Sequence, residues 1–414
     1  MAKRINVAPL VALRYRDYRL LWVGQMISVT GSQMQSATLN WHIYQLTHEP
    51  IYLGLLGLAR VVPIIIFSLV GGVVADAIDR RRLMVVTQSA MALCAAILAL
   101  LTFNGTITVW LIFLLAALAA SAVAFDLPAR QALVPRLVER KHLPNALALF
   151  STMFQFAAIV GPLPAGLFIA VDRLGLAYAF NAVSFLAVIV GLLLMRTDTA
   201  PRPGEAQKVS LRAAVEGLHY VWQAPIIRYS MLLDFLATFF SSANQLLPVM
   251  VQSVLKVGPK WYALLYAAPS IGSLAAGMIM SLLGTIHRQG RILLGAVAVY
   301  GIATVVFGFS IWPLLSFLAL AGTGAADTVS MILRNTIRQL TTPDQLRGRM
   351  TSVNMIFFMG GPQLGEFEAA GIAQLWGAPL SVVTGGIGCL FVTAWIAAKV
   401  PVLREYRSGP AGAS

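Results

Sequence analysis

The chain holds 414 residues, of which 58% are hydrophobic and 11% charged, and its mean hydropathy is +0.78. A soluble domain carries roughly a quarter charged residues, so this composition excludes an ordinary soluble enzyme. An excess of 30 Lys and Arg over 16 Asp and Glu gives a net charge of +14, and its placement along the chain decides what it means. The two cysteines, Cys94 and Cys389, both fall in apolar runs, where they read as buried packing thiols with no disulfide framework or metal spacing.

The first segment, Met1 to Arg19, carries five basic residues and no small-residue cleavage site. It reads as a cytoplasmic arm and not as a signal peptide. Crossing a bilayer takes about 20 apolar residues. Twelve stretches have that character: 20–45, 52–75, 84–103, 107–126, 145–171, 174–196, 226–253, 260–286, 291–310, 312–334, 349–374 and 378–400. With the N-terminus inside, the arm, the inner loops and the C-terminal tail hold 25 Lys and Arg, the outer loops hold 3, and Arg60 and Arg228 fall within helices. Cytoplasmic loops of membrane proteins are rich in Lys and Arg. The count therefore predicts an all-α membrane protein with both termini cytoplasmic, and it accounts for the positive charge without nucleic acid.

A break rich in Pro and charge, Thr197 to Ala224, follows the sixth stretch. It divides the chain into a six-helix bundle over 1–196, a cytoplasmic linker over 197–224 and a second bundle over 225–414. The halves repeat each other. Gly161-Pro162 recurs as Gly361-Pro362, displaced by 200, and Arg130-Gln131 recurs as Arg334-Asn335, displaced by 204. Helix 1 aligns on helix 7 with a shift of 209, pairing Ser32 with Ser241, Gln35 with Asn244 and Pro50 with Pro259. Internal repeats of this kind are the signature of secondary transporters.

The loop between helices 2 and 3 reads Gly71-Gly72-Val73-Val74-Ala75-Asp76-Ala77-Ile78-Asp79-Arg80-Arg81-Arg82. It resembles the signature loop of the major facilitator superfamily, G-x-x-x-D-R-x-G-R-R/K. Gly72, Asp76, Arg80 and Arg81 match, while Ala77 replaces the usual Arg and Asp79 the usual Gly. Gly161-Pro162-Leu163-Pro164-Ala165-Gly166 in helix 5 is similar to the family's antiporter motif, with Ala157 and Ala165 in place of glycines. The run Phe125 to Pro135 and the segment Leu364-Gly365-Glu366-Phe367-Glu368 look like the branch containing the enterobactin exporter and macrolide efflux pumps. The resemblance spans essentially the whole chain. It implies twelve transmembrane helices in two pseudo-symmetric bundles, in the inner membrane of a bacterium, working as a monomer by alternating access.

The signature loop implies an inner latch. Asp76, at the end of helix 2, would face the start of helix 11 near Arg347-Gly348-Arg349, whose helix dipole favours a negative charge. Arg80 and Arg81 anchor the loop, and Asp126 joins as a second carboxylate around Arg80. The alternative is a solvated turn with basic anchors.

Ionisable residues inside a membrane are costly and mark function by default. Asp234 in helix 7 lies ~12 Å deep and Asp327 in helix 10 roughly 10 Å deep from the inner side, at ~1.5 Å per residue. Helices 7 and 10 line the cavity in the family fold, and two carboxylates at one depth in a dry bundle suit a proton carrier. Asp327 could instead be a second-half echo of Asp126, paired with Arg334 or Arg338. Towards the outside, Arg60 in helix 2 is level with Glu366 and Glu368 in helix 11, roughly 9–12 Å deep by the same rise. In the family fold helices 2 and 11 belong to opposite halves and are neighbours, so the resemblance implies an outer gate pairing Arg60 with one glutamate. The two glutamates are two positions apart, so they cannot face Arg60 equally, and the other is a candidate for protonation or for a cationic substrate. A static ion pair is the alternative.

Helix 1 is unusually polar, and Gln25, Ser32, Gln33, Gln35 and Asn40 in it, with Asn244 and Gln245 in helix 7, are candidates for lining a substrate cavity. Some of these side chains would only join helices. Trp41, Tyr44, Phe154, Phe239, Phe240, Phe357 and Phe358 are candidate apolar walls or packing residues, and His42 reads as structural.

No HExxH, GxSxG or GxxxxGK[ST] motif is present, which argues against an enzyme and against ATP as the energy source. No cofactor or metal is expected. The function expected is export of a small amphipathic compound, siderophore- or drug-like, by proton antiport. A proton-coupled importer or a lipid flippase of the same fold are the alternatives.

Overall fold

The computed structural model describes residues 10–199, 218–241, 244–283, 286–343 and 346–407. Inside two helices the side chains of Gly72, Asp76, Arg347, Gly348, Arg349 and Phe358, among others, also lie outside the described set. The described chain is helical throughout. The first half contributes α1 (Arg16–Thr47), α2 (Ile51–Ala77), α3 (Arg80–Phe103), α4 (Val109–Leu137), α5 (Arg140–Ala170) and α6 (Leu174–Leu194). The second half contributes α7 (Pro225–Val254), α8 (Pro259–Leu282), α9 (Gln289–Phe309), α10 (Pro313–Thr341), α11 (Arg347–Trp376) and α12 (Ala378–Lys399). Among the described residues nine of these are long and apolar enough to cross a membrane, and 51–67 forms a shorter apolar helix.

Local chemistry sets the helix starts. Thr108 accepts a hydrogen bond from the Leu111 amide at the head of α4. Prolines stand in the first turns of α8, α10 and α12, where a missing N–H costs nothing. Two spans are not the uninterrupted helices that apolar length suggests. In α5, regular hydrogen bonding lapses between Val160 and Pro162 because two prolines follow Gly161. In α7 the regular helix Pro225–Ser241 gives way to a 3-10 turn at Asn244–Leu246 and a π turn at Met250–Val254.

The chain forms two compact units, one from residues 1–39 and 62–209, the other from 40–61 and 210–414. In the first, α3 packs on α4 and α6; in the second, α9 packs on α10 and α12, the same pattern six helices later. The repeated Gly-Pro pairs make matching contacts. A Cβ on Gly161 would stand 2.6 Å from Gln33 Cβ and 2.7 Å from the Thr30 carbonyl of α1. A Cβ on Gly361 would stand 2.7 Å from Thr238 Oγ1 and 3.1 Å from the Phe235 carbonyl of α7. Each glycine thus lets its helix close on the first helix of its own half of the chain. Tyr18, Leu21, Met84, Leu133 and Leu192 form the core of the first unit. Leu233, Leu293, Leu333, Ile337 and Ile396 form that of the second, with the Cys389 thiol among them. Cys94 and Cys389 are free and buried.

Polar ties close the ends of the first unit. Asp17 accepts hydrogen bonds from the backbone amides of Arg196 and Thr197 at 3.0 and 2.8 Å and from the Thr197 hydroxyl at 2.6 Å. Arg81 donates to the Met195 carbonyl at 2.9 Å, holding the start of α3 to the end of α6. Asp79, which departs from the signature loop, caps α3 by accepting from the Arg82 amide at 3.0 Å and from the Thr199 hydroxyl at 2.9 Å. Burial opposes ionisation of Asp79, but these hydrogen bonds outweigh it and hold its pKa below the usual carboxylate value. A lowered folded pKa stabilises above the unfolded value and is lost as pH falls through the folded one. Asp79→Ala should therefore cost about 1 kcal/mol at neutral pH, and the difference in melting temperature from wild type should shrink in acid below pH 3.8. Equal melting temperatures at neutral pH would remove the cap from the argument.

Candidate coupling cluster and gate

Asp327 and Arg334 are seven residues apart on α10, two turns along one face. The face turns towards α7, and Arg334 reaches across to Asp234. The Arg334 Nη1 to Asp234 Oδ1 distance is 2.8 Å with both side chains buried, and Nη2 stands 3.5 Å from Asp327 Oδ1. One guanidinium therefore serves two carboxylates in very different surroundings. Asp234 is 2% exposed, whereas the Asp327 side chain is 44% exposed and lines a cavity of about 130 Å³ with Asn244, Ser270, Ser273 and Tyr300. Arg338, one turn on, is buried and donates to the Arg334 carbonyl and to Asn335 Oδ1.

The 25 inner cations counted from the sequence include Arg334 and Arg338 as residues of the loop after helix 10, and this placement corrects that reading. Both lie inside α10, at 2% and 3% exposure. The helix runs beyond its apolar stretch because backbone hydrogen bonding does not stop where hydropathy falls, and Asp234 compensates the buried charge. Arg130 and Arg136 are likewise within α4 and not in the loop after it.

The first unit holds the counterpart. Arg130, matched to Arg334 by the repeat, donates through Nη1 to Gln25 Oε1 at 2.8 Å. The 209-residue shift that aligns helices 1 and 7 places Gln25 opposite Asp234. The same bond of the same length thus ends on a neutral amide in one unit and on a carboxylate in the other. Arg130 also lies 3.9 Å from Asp126 Oδ2 and 5.3 Å above the Phe154 ring.

A second cluster forms where residues 40–61 join the second unit. Gln245 Nε2 donates to Glu366 Oε2, and the Arg60 charge acts on Glu366 and on the Tyr266 hydroxyl. Gly57 makes room for this group, since a Cβ there would lie 3.3 Å from Gln245 Nε2, 3.3 Å from Glu366 Oε2 and 3.4 Å from Gln363 Oε1. Glu366 is buried. Glu368 is half-buried and makes no hydrogen bond or ion pair among the described residues. Gln245 and Gly57 went unassigned to this group by sequence reasoning, because nothing local marks an amide as the neighbour of a glutamate 121 residues away.

The latch residues are placed only in part. Gly72 and Asp76 lie outside the described residues. Arg80 is buried. Asp126 accepts from the Thr87 hydroxyl and from Gln88 Nε2 of α3, both at 3.0 Å. Of the antiporter-type motif, Gly161, Pro162 and Gly166 are all buried. The polar candidates are distributed among separate pairs: Gln35 accepts from Asn181 Nδ2 at 2.8 Å, Gln25 from Arg130, and Asn244 faces the cavity beside Asp327. Asn40 is buried with its Oδ1 unpaired, and Ser32 and Gln33 are half-buried. Of the aromatic candidates, Trp41 tilts against Tyr262 and Phe235 stacks on Phe239, all within the second unit.

Comparison with known proteins places this architecture. The family model for transmembrane secretion effectors matches residues 7–410. The staphyloferrin A transporter of Staphylococcus aureus is 24% identical over 384 residues, covering 90% of this chain and 92% of that protein. The enterobactin exporter EntS of Salmonella typhi is 24% identical over 401 residues, covering 95% and 94%. Among solved structures, a bacterial homologue of the human lysosomal transporter Spinster superposes with a TM-score of 0.74 at 14% identity, covering 96% of this chain and 99% of that one. The nucleoside transporter NupG superposes with a TM-score of 0.71 at 14% identity, covering 92% and 98%. With the helical repeat, the intramembrane charges and the family match in agreement, the chain belongs to the transmembrane secretion effectors of the major facilitator superfamily, as a non-enzymatic, multi-pass transporter of the bacterial inner membrane.

Proposed function

We propose that the chain exports a small amphipathic compound, siderophore-like or drug-like, in exchange for protons. The observation that carries this reading is the Arg334 guanidinium set between buried Asp234 and cavity-facing Asp327. A proton arriving on Asp327 cancels one of the two negative charges that hold Arg334, and the cluster must then share its charge differently. That change is a physical means of linking proton uptake to a shift between states. The names of the relatives, a staphyloferrin A transporter and an enterobactin exporter, support the substrate class.

The same proposal includes twelve spans with both termini cytoplasmic, bundles over 1–196 and 225–414 joined by the linker 197–224, and a monomer as the working unit. Arg60 with Glu366 acts as the outer gate, and Asp76 with Arg80, Arg81 and Asp126 as the inner latch. A gate pair that forms and breaks during the cycle avoids depending on the weak stabilisation of a permanent buried ion pair.

Purified protein in proteoliposomes under an imposed pH gradient tests it, with siderophores, macrolides and lipophilic cations added in turn. Proton movement opposite to one of these compounds is the expected result. Movement of proton and compound in the same direction would replace export with import, and translocation of labelled lipid without proton flux would replace it with flipping.

A further inference from the structure

Beyond Asp327, the cavity of the second unit has a lining that the transport reading does not use. Five of its oxygen-bearing side chains come from four helices: Ser241 of α7, Ser273 of α8, Thr304 of α9, and Thr323 and Asp327 of α10. Three of the hydroxyls have already spent their protons. Ser273 donates to the Gly324 carbonyl at 3.0 Å, Thr304 to the Tyr300 carbonyl at 2.9 Å and Thr323 to the Leu320 carbonyl at 2.6 Å. A hydroxyl that has donated offers only lone pairs to anything else. Ser241 is 6% exposed, and its Oγ has no hydrogen-bond partner beyond the neighbourhood of the weakly polar Cys389 thiol. Asp327 meets Arg334 through Oδ1 alone, leaving Oδ2 to the cavity.

Such a lining favours a cation over an anion or a neutral acceptor. Oxygen ligands suit hard ions; Asn244 alone brings a side-chain nitrogen to the lining and offers an amide oxygen beside it, and among the described residues no group of three or more His, Cys, Asp or Glu gathers to hold a transition metal. Charge selects the valence. Asp234, Arg334 and Asp327 sum to one negative charge, and Arg338 one turn on brings the wider group to neutrality, so a divalent ion would leave the buried cluster strongly positive. Size agrees. The cavity measures about 130 Å³, well above the roughly 10–15 Å³ that admits one water and below the roughly 300 Å³ at which drug-sized pockets begin.

We infer that this cavity is a binding site for a monovalent metal cation, sodium, held by the Asp327 carboxylate and the hydroxyl oxygens of α7, α8, α9 and α10. The inference rests on the second unit alone and not on the direction or substrate of transport. A proton on Asp327 and a sodium ion beside it are alternative occupants of one carboxylate.

Thermal unfolding of the purified full chain in detergent tests it, with sodium chloride exchanged for choline chloride at constant ionic strength. A ligand bound to the folded state alone raises the melting temperature as its concentration rises. A sodium-dependent rise is expected in wild type and its loss in Asp327→Asn. In Ser241→Ala the same rise should need about tenfold more sodium, as expected for one lost ligand of hydrogen-bond strength. Should Asp327→Asn fail to fold, Ser273→Ala is expected to show the same weakening as Ser241→Ala. Identical melting in sodium and choline would overturn the site. So would a full sodium response in both Asp327→Asn and Ser241→Ala. A rise with methylammonium chloride and none with sodium would overturn the assignment in favour of an organic ammonium group.

Discussion

Arg334→Leu should destabilise the chain by about 3–5 kcal/mol, the loss typical of a buried ion pair broken on one side. The size follows from Asp234, which is 2% exposed and is paired with Arg334 at 2.8 Å. Without the guanidinium its charge keeps only the weaker influence of Arg338, whose own bonds run to the residue 334 carbonyl and to Asn335. Asp327 fares better, because its carboxylate borders the cavity. The double variant Asp234→Leu with Arg334→Leu should recover most of the loss, since a buried pair replaced by apolar side chains is often neutral or stabilising. Melting temperatures in detergent give the comparison. A single variant as stable as wild type would remove the pair as a structural element, and a double variant no better than the single would move the cost to lost packing of the long Arg side chain.

Asp327→Asn should leave the fold intact and abolish energised transport. The substitution keeps the shape of the side chain, and Arg334 retains its shorter contact to Asp234, so melting should change little. What disappears is a carboxylate that can gain and lose a proton where the cavity reaches it. Concentrative transport in proteoliposomes should then fall to the level of protein-free vesicles, while equilibrium binding of the same compound stays measurable. Full accumulation by Asp327→Asn would sink the carrier role of this residue. Loss of binding together with transport would make Asp327 a substrate ligand instead.

How much of this was legible in the sequence varies with the physics involved. Apolar runs of bilayer length mark the helices because burial in lipid leaves a plain hydropathy signal. The ends are less legible. Helices α4 and α10 continue past the apolar stretches that end at 126 and 334, through Arg130 and Arg338, because the ladder of backbone bonds needs no apolar side chain. Arg334 was legible as a partner of Asp327, because their seven-residue spacing puts both on one face. Asp234 lies a hundred residues earlier, and no local pattern reports a contact at that range. Counting residues from the helix ends set Arg60 level with Glu366, and the structure brings their charges within reach. The short-range reason for that approach, the missing side chain at Gly57, has no sequence signal beyond the glycine itself. In α7, Pro248 was the visible warning that regular helix would give way.

The matched bonds of Arg130 to Gln25 and of Arg334 to Asp234, both 2.8 Å long, have a further consequence. An amide oxygen neither gains nor loses a proton at physiological pH, so in the first unit the short bond ends on a group of fixed charge, and the Asp126 carboxylate stands farther off at 3.9 Å. A carboxylate stands at the equivalent joint of the second unit, the asymmetry on which the proposed exchange for protons draws. The two halves share one design, in which the bond from the repeated arginine ends on a neutral amide in one and on a carboxylate in the other.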